Sequence, residues 1–251
     1  MVKFAIDGKK VEAEEGSTIL KEAQKLGIEI PTLCYHPALT PIGSCRLCIV
    51  EVTKGKRTRI VTSCNYPVEE GIEVKTDTEK VLRQRRLTME LLLARCPQVE
   101  IVKKLARQMG VKKGRFKEED NDCILCGHCV AVCEEIIGVG AIDFVNRGID
   151  EEVDTPYQIA SDVCIGCGAC AFICPTGAIK LEDVKDKRKI ERWHTSIPLQ
   201  RCKVCGGVVG TQAQIQYLRK KIELPAEVFE TCSECKRKRY AQEIVALGMS
   251  T

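Results

Sequence analysis

Cys123-Ile124-Leu125-Cys126-Gly127-His128-Cys129-Val130-Ala131-Val132-Cys133 and Cys164-Ile165-Gly166-Cys167-Gly168-Ala169-Cys170-Ala171-Phe172-Ile173-Cys174-Pro175 are the two stretches that decide how this chain folds. Each spaces its cysteines as C-x2-C-x2-C-x3-C. In that arrangement a short loop supplies three thiolates to a [4Fe–4S] cube and a fourth cysteine reaches in from further along. The usual crossover makes the fourth cysteine of each run serve the other cube. One cube then takes Cys123, Cys126, Cys129 and Cys174, and the other takes Cys164, Cys167, Cys170 and Cys133. Pro175 closes the second run, whereas Glu134 stands where the first would carry its proline, a departure that leaves the ligands intact. Gly127, Gly166 and Gly168 let backbone N–H groups approach the cluster sulfurs. His128, between two ligands, reads as a neighbour of the cluster or a surface residue.

Working outward, the chain carries 17 cysteines, and all but Cys96 fall into four such constellations. Cys34-x10-Cys45-x2-Cys48-x15-Cys64 offers four thiolates for a [2Fe–2S] cluster, with Cys45 and Cys48 straddling one iron. A structural zinc site is the alternative. A Rieske centre would need a second histidine near Cys45 and Cys48, and there is none. The spacing also differs from the plant-type C-x4-C-x2-C. Towards the C-terminus, Cys202-x2-Cys205 and Cys232-x2-Cys235 form two knuckles that suit one tetrahedral Zn2+, with a third [4Fe–4S] cluster as the rival. Metal counts separate the two: about ten irons and one zinc, or about fourteen irons and no zinc. Cys96 reads as a buried structural cysteine.

Composition narrows the class. In 251 residues, only 4% of them aromatic, several small modules built around metals are expected instead of one large core. No stretch approaches about 18 apolar residues, so no membrane span is expected. Met1–Gly8 carries no apolar signal core, and clustered C-x2-C cysteines read as metal thiolates in a reducing cytoplasm. The net charge of +4 does not call for nucleic acid, and the basic run Lys236–Arg239 reads as a solvated helix end.

The expected fold class is α+β, in four modules. Residues 1–78 read as a β-grasp domain: a hairpin of Val2–Ile6 and Lys9–Ala13 about Asp7-Gly8, a helix capped by Ser17 and ending before Gly27, then strands at Leu47–Thr53 and Arg59–Ser63. Residues 79–120 read as a helical linker. Thr76-x-x-Glu79 is its capping box, and Leu82, Met89, Leu93 and Cys96 form one apolar face. A second helix there uses Val99, Val102, Ala106 and Met109. Residues 121–185 hold the repeat, each half giving a cysteine loop, a helical turn and a strand-like segment, Ala141–Val145 and Ala178–Leu181. Lys185–Lys189 reads as a charged linker, and residues 186–251 as a small zinc-ribbon-like domain.

Cys34-Tyr35-His36-Pro37, Gly43-Ser44-Cys45-Arg46-Leu47-Cys48, Ser63-Cys64 and Met89-Glu90-Leu91-Leu92-Leu93 together resemble the N-terminal region of the large iron–sulfur subunit of NADH dehydrogenase (complex I). They are equally similar to the small iron–sulfur subunits of NAD-linked hydrogenases and of electron-bifurcating hydrogenase or transhydrogenase complexes. The likeness covers roughly residues 1–95, and the paired-cube module fits the same group. Members of this family usually follow the Leu-rich helix with a His-plus-three-Cys site for a further [4Fe–4S] cluster. Here Ala94–Lys117 has no histidine and only Cys96, so that cluster is expected to be missing.

The resemblance implies an electron-transfer subunit of an NAD(P)H-linked oxidoreductase, without a substrate site or catalytic residue of its own. No dinucleotide fingerprint, P-loop or flavin motif appears. A partner flavoprotein carrying FMN is therefore expected to convert two-electron hydride into single electrons. A second redox subunit or a ferredoxin would stand at the other end: a hydrogenase, a formate dehydrogenase or a ferredoxin:NADP transhydrogenase, with bifurcation in view. A free-standing polycluster ferredoxin is the alternative.

Overall fold

The structure of the protein, a computed structural model, describes residues 1–246. It divides into two compact units. One comprises Met1–Ala131 with Cys174–Ala178, and the other Val132–Ile173 with the chain from Ile179 onward.

The first unit is built on a five-stranded sheet. Strands β1 (Val2–Ile6) and β2 (Lys9–Ala13) form the expected hairpin. Asp7 and Gly8 both have positive φ, as a two-residue turn of matching twist requires. Helix α1 (Ile19–Lys25) follows, then the hairpin β3 (Ile49–Lys54) and β4 (Arg57–Thr62), and finally β5 (Glu73–Lys75). Strand β5 inserts between β1, to which it runs parallel, and β3, giving the order β2-β1-β5-β3-β4. Alternation along the strands turns Phe4, Ile6, Val50, Val52 and Val74 inward against Ile19, Leu20 and Ala23 of α1. This is the β-grasp arrangement. The α1 cap is Thr18, which accepts the Lys21 N–H, and not Ser17, whose hydroxyl donates to Glu22.

Two helices cover one end of this unit, α2 (Glu79–Arg95) and α3 (Glu100–Gln108). Thr78 caps α2 by accepting the Val81 N–H at 3.3 Å. Thr76, the cap expected from the sequence, is engaged elsewhere. Its N–H and hydroxyl donate to the two carboxylate oxygens of Asp7 at 2.8 and 2.7 Å, pinning the hairpin turn to the end of β5. The buried face of α2 also differs from the expected one. Val81, Arg85 and Met89 turn inward at four-residue spacing, and Leu82 is exposed. Arg85 is tolerated inside because its guanidinium donates to Ile49 O at 2.6 Å. Met89, Cys96, Val99, Val102 and Ala106 share a second apolar cluster with Leu33, Leu47 and Ile124. Helix α4 (His128–Ala131) ends this part of the chain.

The second unit opens on a π-helical turn, Val132–Ile136. Strands β6 (Asp143–Val145) and β7 (Glu152–Asp154) form a short hairpin, and α5 (Ala169–Ile173) follows the second cysteine loop. Ala178–Leu181 is not a strand. Pairing begins at β8 (Glu182–Val184) and continues through β9 (Lys187–Ile190), β10 (Thr195–Arg201) and β11 (Val208–Thr211) in the antiparallel order β11-β10-β9-β8. Lys185–Lys189, expected as a linker, is instead the turn and second strand of the β8–β9 hairpin. Asp183 and Arg188 stand opposite each other there and form a two-pronged ion pair at 2.8 and 3.0 Å. Helices α6 (Gln212–Lys221) and α7 (Ser233–Ala246) complete the unit. Among the described residues no helix is long and apolar enough to cross a membrane.

Candidate iron–sulfur and metal centres

In the first unit Cys34, Cys45, Cys48 and Cys64 are all buried. The loop that carries three of them is shaped by backbone constraints. Gly43 has φ +70°, and a Cβ there would lie 3.0 Å from Asn65 Nδ2 and 3.2 Å from Thr62 Oγ1. Arg46, between the two central cysteines, is also left-handed. Cys45 N–H donates to Cys34 Sγ at 3.3 Å. The four sulfurs sense one another electrostatically. A hydrogen bond with Cys34 draws Cys45 down to about 6, and one with Cys64 draws Cys48 down to about 7, while Cys34 and Cys64 are raised as the partners that keep the protons. Bound iron would displace the protons from all four sulfurs. Four soft thiolates in a dry site suit iron–sulfur or zinc and exclude hard cations.

The first cysteine run lies against this loop within the same unit. Ser44 Oγ donates to Leu125 O at 2.7 Å, joining the residue before Cys45 to the residue before Cys126. Arg95 Nε holds Cys123 O at 2.9 Å. The His36 and His128 rings meet edge to face with centroids 6.1 Å apart, and His128 is buried. Burial pushes the Cys126 thiol up to about 11, reinforced by the neighbouring sulfurs of Cys174 and Cys123. Cys129 is buried on α4, and Cys174 returns to this unit within the segment Cys174–Ala178.

The second run gathers in the other unit. Cys133, Cys164, Cys167 and Cys170 line one small pocket, whose wall includes Ile190 and Trp193. Cys133 sits on the π-helical turn, where its Sγ accepts the Ala141 N–H at 3.3 Å. Burial pushes Cys170 up to about 11, opposed by a hydrogen bond from Trp193, and the neighbouring sulfurs of Cys167 and Cys164 raise it further. The two runs repeat their backbone. Leu125 and Gly166, at equivalent places, are both left-handed, as are Gly127 and Gly168. A Cβ on Gly166 would meet Thr211 Cγ2 at 3.0 Å, and one on Gly168 would meet Leu181 Cδ1 at 2.8 Å, so a side chain at either place would be crowded as well as left-handed.

At the C-terminal knuckles, Cys202, Cys205, Cys232 and Cys235 bring their sulfurs within 4.8 Å of one another, the only such metal-ligand group among the described residues. Cys205 Sγ and Cys232 Sγ are 3.6 Å apart. Four thiolates at a Zn–S distance of about 2.3 Å define a tetrahedron with edges of about 3.8 Å. The Cys232 N–H donates to Cys202 Sγ at 3.3 Å and draws that thiol down to about 6. The backbone N–H of Cys235 lowers Cys232 in turn. Gly206, left-handed, closes the first knuckle by donating to Cys202 O at 2.9 Å. Cys96 is fully buried and desolvation holds its thiol up at about 12, as a structural cysteine requires.

Several residues around these centres escape a reading of the sequence. Arg85 senses the Cys48 sulfur from beneath the first loop. Thr211 donates to Ile165 O and Arg188 to Gly166 O at 3.1 Å, so two strands of the C-terminal sheet hold the Cys164–Cys167 loop. Trp193 Nε1 lies 3.3 Å from Cys170 Sγ. A lone tryptophan in a chain poor in aromatics was the one visible signal among them.

Residues 1–79 match the family described as a 2Fe-2S iron-sulfur cluster binding domain, and residues 157–180 match a 4Fe-4S binding domain. Over 242 residues, 86% of this chain and 28% of the relative, the sequence is 34% identical to NADPH-Fe(3+) oxidoreductase subunit alpha of Geobacter sulfurreducens. It is 34% identical to the NADH-ubiquinone oxidoreductase 75 kDa subunit of Reclinomonas americana, over 71% of this chain and 29% of that one. It is 35% identical to NADP-reducing hydrogenase subunit HndD of Solidesulfovibrio fructosivorans, over 71% and 36%. The chain therefore spans about a third of the length of these curated relatives. A chain in the crystal structure of an NAD+-reducing [NiFe]-hydrogenase in the H2-reduced state superposes with a TM-score of 0.60 and 30% identity, covering 70% of this chain and 86% of that one.

Proposed function

Because the chain belongs to the family of iron–sulfur subunits of NADH-quinone oxidoreductases and NAD(P)-linked hydrogenases, we propose that it relays single electrons between a flavin subunit and a second redox partner in the cytoplasm. Cys34, Cys45, Cys48 and Cys64 would hold a [2Fe–2S] cluster. Cys123, Cys126, Cys129 and Cys174 would hold one [4Fe–4S] cube, and Cys164, Cys167, Cys170 and Cys133 the other. Bound there, each cluster takes up and releases one electron at a time. The protein supplies the thiolates, keeps water from the buried sulfurs and fixes the spacing of the loops.

The observation that carries the reading is the hydrogen bond between the loops of the first two proposed centres. The Ser44–Leu125 hydrogen bond joins two residues that each immediately precede a ligand, Cys45 and Cys126. Two cluster loops so joined suit a wire better than two independent staples. At the C-terminal site we favour Zn2+. The 3.6 Å sulfur separation suits a single ion, whereas a cube spreads its four thiolates over separate irons. The zinc would then be a structural staple for the second unit.

The partner proposed on the input side is an FMN-bearing, NADH-dehydrogenase-like chain, because one-electron centres need a flavin to meet a hydride donor. On the output side stands a hydrogenase, formate dehydrogenase or ferredoxin. Gentle anaerobic purification of the tagged chain from its own host, with mass spectrometry of what accompanies it, tests this. Recovery with a flavoprotein supports the relay and the second partner identifies the reaction. Recovery of the chain alone, fully loaded with iron, refutes the relay and leaves a free ferredoxin. Counts of about ten irons and one zinc per chain are expected.

A further inference from the structure

We infer that Trp193 sets the reduction potential of the cube assigned to Cys133, Cys164, Cys167 and Cys170, by donating its indole N–H to the Cys170 sulfur. The inference rests on the ligand assignment proposed above. Trp193 is 1% exposed. Its indole carries one donor and no acceptor, and a buried donor must find a partner. The partner in place is Cys170 Sγ at 3.3 Å. The indole also forms part of the wall of the cysteine-lined cavity, so it screens that side of the centre from water.

The local chain is arranged to present the ring. Trp193 ends a 3-10 turn, Glu191–Trp193, between β9 and β10. His194 takes the left-handed conformation that turns the chain back into the sheet. Thr195, also buried, donates its hydroxyl to Trp193 O at 2.8 Å and fixes the backbone that carries the indole. Thr195 thus positions the indole and its side chain also hydrogen-bonds Cys164, whereas Trp193 touches the centre through Cys170.

Adding an electron to an iron–sulfur cluster places more negative charge on its sulfurs. A fixed N–H donor stabilises that state more than the oxidised one and raises the potential. In a dry site no water replaces the donor when it is removed, so the effect is retained in full.

Trp193 is the chain's single tryptophan, which makes the test specific. Protein grown with indole-15N tryptophan, holding both cubes by iron count and Mössbauer spectroscopy, is reduced and examined by pulsed EPR. A 15N hyperfine coupling to a reduced [4Fe–4S] cluster is expected. In parallel, W193F keeps an aromatic ring at the site and removes the N–H. Redox titration is expected to show one [4Fe–4S] potential lowered, with reduction about tenfold less favourable, or 59 mV for one electron, and the others unmoved. Both cubes present with no 15N coupling, or W193F fully loaded with every potential unchanged, overturns the inference and leaves the ligand assignment standing. Absence of a second cube from the wild-type protein overturns the assignment and the inference together. Should W193F lose iron, the 15N measurement on the wild-type protein decides alone.

Discussion

Replacing Thr211 with valine separates hydrogen bonding from packing in what holds the Cys164–Cys167 loop. Thr211 is fully buried and its hydroxyl serves two purposes. It caps α6 by accepting the Gln214 N–H at 3.1 Å, and it donates to Ile165 O inside the cysteine loop. Valine keeps the shape and loses both. Loss of the cap costs about 1 kcal/mol, and loss of the loop hydrogen bond about another 1 kcal/mol. If the cluster leaves through opening of this loop, T211V releases it about 30-fold faster, from the sum at RT of about 0.59 kcal/mol. Serine keeps the hydroxyl and removes only the methyl that faces Gly166. At about 0.8 kcal/mol per buried methylene, that is about fourfold. The assay is anaerobic transfer of iron to a chelator, followed by Trp193 fluorescence. The indole lies against Cys170, and iron–sulfur absorption overlaps its emission, so emission rises as that centre is lost. A T211V rate no faster than that of T211S would mean that packing, not hydrogen bonding, retains the loop.

Other substitutions test neighbouring features. Arg188 holds the Asp183 carboxyl below the usual carboxylate range by direct hydrogen bonding, and also holds Gly166 O. Stability from a depressed carboxyl is present above its unfolded value of about 3.9 and fades as pH falls through the lower folded value. D183N should therefore release the cluster faster than wild type at neutral pH, and the ratio of the two rates should approach one in acid. C174A should remove iron from the first run's cube and change Trp193 emission little, whereas C133A should raise it more; the opposite pattern would disprove the crossover. T76V removes one of the two hydrogen bonds to Asp7 and should cost about 1 kcal/mol, read as earlier thermal loss of the [2Fe–2S] circular dichroism signal, with T76S restoring it.

The cysteine runs stand out in the sequence because the proposed ligands are local: a loop of seven residues carries three of each four. The Asp7-Gly8 hairpin was legible for the same reason, since its turn chemistry lies within two residues. What failed were choices settled by distant partners. Thr76 and Thr78 are equally good caps, and Thr78 takes the role because Asp7, 69 residues away, claims Thr76. Leu82 matched the apolar period of α2, yet Arg85 is the residue inside, since Ile49 O lies waiting for it. Lys185–Lys189 looked like a linker because charge hides alternation. Pairing of Asp183 with Arg188 across the hairpin makes it a strand. The residues that dress the second centre, Trp193, Arg188 and Thr211, reach it over 22 to 46 positions and leave no motif behind.

The way the two units interleave imposes a timetable on synthesis. The first unit includes Cys174–Ala178 but otherwise ends at Ala131. A ribosome adding about 5–20 residues per second needs roughly 2 to 10 seconds to cover the stretch between. For a like interval after they emerge, Cys123, Cys126 and Cys129 lack the segment that completes their unit. A nascent chain stalled before residue 174 is thus a half-built receptacle, with thiols exposed to oxidants and to whichever thiophilic metal is most abundant.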